Sequence, residues 1–142
     1  MKHAFFALAM LATATAPASA DTLIVHNDNG GRVDYRLQAV AGIEQRGDNV
    51  RLSGHCYSAC TMYLALGPDR LCAEPDVMFG FHAVTNARDG KILPLWNAVM
   101  AGHYPEPVAE WFYDHAAHVT NGLVQLRGSD MIRLGFVSEC EQ

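Results

Sequence analysis

Between Gly54 and Gly67 the chain reads GHCYSACTMYLALG, which sets a serine between two cysteines, after a strand-like run and before a helix-like one. A hydroxyl at the first turn of a helix is held by a rigid element, and the free backbone N–H groups there favour negative charge. Ser58 in that position could attack a carbonyl carbon, with the N–H of Ala59 facing the resulting oxyanion. A second donor could come from the earlier stretch NDNGG, where Gly30 and Gly31 let the backbone approach a ligand closely. Two such donors make an oxyanion hole, and loss of one typically costs about 3–4 kcal/mol of transition-state stabilisation. The simpler role for Ser58 is a helix N-cap, which contributes about 1 kcal/mol and no chemistry.

A serine nucleophile needs a base. Of the seven histidines, His3 lies in the N-terminal leader, His26 and His55 flank strand-like runs, and His103, His115 and His118 lie on or near polar helix ends. His82 differs, because it ends the apolar run VMFGF. Its plain alternative is a hydrogen-bonded histidine at a strand end. The four cysteines, Cys56, Cys60, Cys72 and Cys140, suggest two disulfides in an oxidising compartment, with three connectivities open. A zinc site drawn from Cys56, Cys60, His55 and His82 is the weaker alternative, since no second tight pair accompanies it. No metal and no cofactor is expected.

The positioning elements follow a leader. Residues 1–20 combine Lys2, an apolar run from Ala4 to about Leu11 and the small-residue end Ala18-Ser19-Ala20, the pattern of a cleaved secretory signal peptide. Residues 21–142 then form one domain, secreted or periplasmic, and no later run is long enough for a transmembrane segment. Ten Lys and Arg stand against fifteen Asp and Glu, and the leader removes only Lys2. That acidic balance argues against nucleic acid and anionic membrane as main partners, because both call for a basic patch.

Within the domain, TLIVH (22–26) reads as a strand and 33–45 as an amphipathic helix stopped by Gly47. NVRLS (49–53) reads as a second strand that Gly54 breaks, followed by the apolar, buried helix 58–66. RLCA and VMFGFH are short strands around the turn EPD, and 83–92 is a polar loop. PLWNAVMAGHY and PVAEWFYDHAAH read as helices with proline near their starts; GLVQL is a strand, Ser129 caps the last helix DMIRL, and FVSEC is extended. The order is that of an α/β domain with a mainly parallel sheet and flanking helices. In such sheets sites form beyond the carboxyl ends of the strands, where NDNGG, GHCYSAC and FGFHA all fall.

These stretches, NDNGG, VRLSGHCYSACTMYLALGPDR and EPDVMFGFHA, together resemble the Clp protease proteolytic-subunit superfamily, and more closely its exported Clp-protease-like members, with their C-x-S-A-C-T and G-F-H motifs. The resemblance runs from about Thr22 to Ala83 and more faintly through QLRGSDMIRLG. It implies a compact ClpP/crotonase-like fold, Ser58 as nucleophile, His82 as general base, and an oxyanion hole from Ala59 with one of Gly30 or Gly31. It also implies a peptide or small acyl substrate and homo-oligomeric assembly through late helices. The counterpart of the family's third triad residue falls near Asn121–Leu123, where there is no acid. Asp130 and Asp114 are the nearest candidates for that role. The alternative is an inactive protein of the same fold that binds a peptide or other ligand.

For the cysteines the preferred pattern is Cys56–Cys60 with Cys72–Cys140. The short bridge would clamp the turn that presents Ser58, and the long one would tie down the C-terminal stretch. The competing pattern joins Cys60 to Cys72, because the helix must pack near the next strand.

Overall fold

Short apolar runs punctuated by glycine and proline turns build a mixed α/β domain in the computed structural model, which describes residues 20–141. The leader reading thus falls outside the described residues except for Ala20. In chain order the elements are β1 (Thr22–Asp28), α1 (Val33–Arg46), β2 (Asn49–Tyr57), a 3-10 helix (Ser58–Leu66), β3 (Leu71–Ala73), β4 (Met78–Phe81), α2 (Pro94–Ala101), α3 (Glu106–His115), β5 (Val124–Arg127), α4 (Gly128–Arg133) and β6 (Ser138–Glu139). No helix of the described residues is long and apolar enough to cross a membrane.

β2 organises the sheet. β1 pairs with it in parallel along one edge, from Thr22↔Asn49 to Asp28↔Cys56. Its other edge is shared. The first half carries β3, with Val50↔Leu71, and the second half carries β4, with Cys56↔Phe79, both parallel. β6 adds to β3 in parallel, and β5 closes the far side against β4 as the antiparallel strand. The sheet is therefore curled and mostly parallel.

Gly54 does not end β2, as its type suggests, but bends it. Between His26↔Ser53 and Asp28↔Cys56 the register slips, so β2 holds an extra residue there. Gly54 has φ 70°, and a Cβ on it would collide with the Asn27 side-chain oxygen. That oxygen accepts the His55 N–H at 3.2 Å. A bulge of this kind turns the strand locally, and here the turn falls between the half that meets β3 and the half that meets β4.

The core lies around the 3-10 helix, whose Ala59, Cys60, Met62, Leu64 and Leu66 are buried. α1 covers it with Val40 and Ile43. Phe79, Phe81 and Phe112 are fully buried, and each such side chain contributes about 2–3 kcal/mol by leaving water. Ser129 does not cap α4, which starts at Gly128 with Arg127 in the cap position. The first amides of α4 are taken by backbone acceptors instead: Gly128 N–H donates to Val77 O at 2.6 Å and Ser129 N–H to Pro75 O at 2.8 Å.

The cysteines pair as Cys56–Cys60, with Cα atoms 5.2 Å apart, and Cys72–Cys140, at 4.9 Å. The Cys60–Cys72 pattern is thereby excluded, and neither Cys56 nor Cys60 is a free thiolate for zinc. Two disulfides fit an extracytoplasmic protein.

Candidate active site

Three strands deliver the candidate residues to one end of the sheet. Ser58 directly follows β2, and His82 directly follows β4, the parallel neighbour whose Gly80 is in register with Tyr57. Gly30 and Gly31 follow β1, whose Asp28 is in register with Cys56. Ser58 and His82 are both half-buried. Among the described residues no hydrogen bond joins the two side chains.

Ser58 is not a cap. The N-cap residue is Tyr57, and no side-chain cap bond is made. Ser58 instead has φ 55°, in the left-handed region that serine seldom occupies. Such backbone persists only where the surroundings enforce it. The Cys56–Cys60 bridge spans the turn, and the Thr61 hydroxyl donates to Ser58 O at 2.6 Å.

Gly30 is pressed against this turn. A Cβ there would lie 2.7 Å from the Ser58 Cβ and 2.8 Å from the Ala59 nitrogen. Its own N–H donates to Asp28 Oδ1 at 2.7 Å, so Gly31 holds the amide left to face a ligand. Asp28 is itself fixed by Arg36, whose guanidinium donates to Asp28 Oδ2 at 2.6 Å and to the Tyr63 hydroxyl at 2.5 Å. The pair is largely buried, with side-chain exposures of 13% for Arg36 and 19% for Asp28.

The segment after His82 is held by another buried amide. Asn97, in α2, accepts the Val84 N–H at 2.6 Å and donates to Ala117 O at 2.9 Å. Ala83 N–H donates to Val119 O at 2.9 Å. Thr61 and Asn97 are the buried polar residues of the core apart from its tyrosines, and each anchors the backbone at or beside a candidate catalytic residue. Sequence reasoning missed Asp28, Arg36, Thr61 and Asn97. Two of them carried a signal: an Asp two residues before a glycine pair is a turn-former, and one Asn in the apolar helix PLWNAVMA must find partners if buried.

Of the candidates for a third member, Asp130 is placed by the sheet register toward the opposite end of β4 from His82. β5 runs antiparallel to β4 with Met78↔Arg127, so Asp130 lies past the start of β4, whereas His82 follows its end. A four-residue strand spans about 13 Å, and Asp130 is engaged with Arg133 at 3.0 Å. Asp114 is exposed in the last turn of α3. The register Phe81↔Val124 instead brings the end of Asn121–Leu123 toward the His82 end of β4.

A different serine–histidine contact does form, on the exposed surface of β1 and β2. Ser53 Oγ and His26 Nδ1 are 2.9 Å apart. The Asn27 amide nitrogen lies 2.8 Å from His26 Nε2, so both ring nitrogens are engaged and the pair braces the exposed surface of β1 and β2. His55 is likewise committed, to Asn29 at 2.9 Å.

A groove of about 510 Å³ runs between Gly31 and Val33 on one side and Val84, Leu93 and Trp96 on the other. It links Gly31 to the segment that follows His82, and neither Ser58 nor His82 is among its lining residues. A second cavity of about 460 Å³ lies beside Asn49–Arg51, Leu71 and Ser138, at the starts of the strands. The first stands at the carboxyl ends, where parallel sheets hold ligands. No family model matches the chain, and no curated protein matches it.

Proposed function

We propose that the protein is an exported serine hydrolase of the Clp-protease-like kind, acting on a peptide or small acyl substrate. Ser58 Oγ attacks the carbonyl carbon while His82 takes its proton. The oxyanion is held by the N–H groups of Ala59 and Gly31. Collapse expels the leaving group with the proton from His82, and water then cleaves the acyl-enzyme by the same route. The groove beside Gly31, with Val84, Leu93 and Trp96, receives the apolar part of the substrate.

One observation carries this reading: Ser58 adopts φ 55° at the head of a helix, with a glycine too close to tolerate a side chain. A cap or filler residue needs neither. The second reading, binding without catalysis, draws on His82, which has no carboxylate partner among the described residues. A fluorophosphonate probe separates the two. Labelling of the folded wild type that disappears in Ser58→Ala supports the hydrolase; a folded wild type that takes no label leaves the binding protein.

A further inference from the structure

Ser58 C=O and Ala59 N–H belong to one planar trans peptide unit, so they point in opposite directions and turn together. Whatever fixes the carbonyl therefore aims the amide. The carbonyl is fixed by Thr61, whose hydroxyl donates to it at 2.6 Å. That hydroxyl has a single proton. Its other contact, 2.6 Å from the Tyr104 hydroxyl, must then be a bond that Tyr104 donates. Burial pushes the Tyr104 hydroxyl well above its ordinary value, which keeps the donated proton in place. Thr61 is wholly buried, and the Tyr104 ring is wedged edge-on between Phe81 and Phe112, at 5.8 and 5.6 Å. At the other end of the peptide, the Ala59 nitrogen lies beside Gly30, 2.8 Å from where a Cβ on that glycine would stand.

We propose that Thr61 and Tyr104 are positioning residues that aim the Ala59 N–H at the substrate's carbonyl oxygen. This rests on the hydrolase reading above. The relay runs from the turn between α2 and α3, through Tyr104 and Thr61, to the Ser58–Ala59 peptide.

The test measures labelling of Ser58 by an alkyl fluorophosphonate, whose phosphonyl oxygen occupies the oxyanion position, and separates the maximal rate from the half-saturating concentration. Thr61→Val keeps the shape and removes both bonds. Its maximal rate should fall roughly 10–100-fold, less than or comparable to the 10²–10³ lost with an oxyanion donor itself, while the half-saturating concentration stays within about threefold. Thr61→Ser, which restores the hydroxyl, should recover the rate. Tyr104→Phe removes only the distal hydroxyl and serves if Thr61→Val fails to fold; it should lower the maximal rate by a smaller factor in the same pattern. Folded Thr61→Val or Tyr104→Phe protein with an unchanged maximal rate, or with only weaker binding, overturns the inference alone. A wild type that takes no label overturns it together with the hydrolase reading.

Discussion

The α-carbon of Gly30 packs so closely on Ser58 that a methyl group added to it would lie 2.7 Å from the serine's Cβ and 2.6 Å from Tyr57 O. Gly30 also has φ 92°, whereas Gly31, at φ 121°, has open space around its Cβ position. Gly30→Ala therefore adds overpacking to strain. We expect it to lower unfolding free energy by about 1–3 kcal/mol and to abolish probe labelling. Gly31→Ala should destabilise less. Denaturant unfolding of the two variants side by side checks the order; equal losses would contradict the close approach.

Asn97→Ala leaves two part-buried backbone groups, Val84 N–H and Ala117 O, without their side-chain partner. A fully buried unsatisfied group costs about 1–3 kcal/mol, and these part-buried ones less, so the variant should lose on the order of 1–3 kcal/mol in all. Amide exchange should quicken in the segment after His82 more than in β1 and α1. Uniform quickening would mean that Asn97 does not act locally.

The disulfides should differ in worth. Cys72–Cys140 joins residues 68 apart and Cys56–Cys60 residues 4 apart. In the chain-entropy picture these contribute roughly 4–5 and about 2 kcal/mol. Paired serine replacements, followed by denaturant unfolding, should show the long bridge dominating stability. The short bridge should weigh more on Ser58 labelling, since it spans the turn that presents that residue.

Alkaline pH should act through Tyr104. Burial raises its hydroxyl in the folded state, with the Thr61 bond opposing the shift only in part. A raised folded value means the contribution is intact below the unfolded value, about 10 for tyrosine. It is lost as pH climbs above that toward the folded value. Stability measured across pH 9–11 should fall less steeply in Tyr104→Phe than in the wild type; parallel curves would remove Tyr104 as the cause.

Much of the element order was legible because apolar runs such as TLIVH and VMFGF are bounded by turn residues. The preferred cysteine pairing is the one the fold adopts, although position along the chain left Cys60–Cys72 open as well. What could not be read depends on atoms from distant segments. β2 continues past Gly54 because Asn27, on another strand, takes up the His55 N–H. Ser129 reads as a cap until Val77 and Pro75 supply its helix with acceptors from across a turn. The clamps on the site were hidden for the same reason: Thr61 and Tyr104 are 43 residues apart, and Arg36 and Tyr63 are 27 apart. Local pattern registers that a residue is polar, but not which backbone it will hold.

The shared edge of β2 makes the molecule modular along a single strand. On one side of the Gly54 bulge lie β3, β6 and the Cys72–Cys140 bridge; on the other lie Ser58, β4 and His82. The two halves are joined by β2, by β1 paired along its whole length, by the short turn from β3 to β4 and by the 3-10 helix, which contacts both strands. Substitutions in β3 and β6 therefore act on the candidate residues only at second hand, through the strand and helix that both halves share.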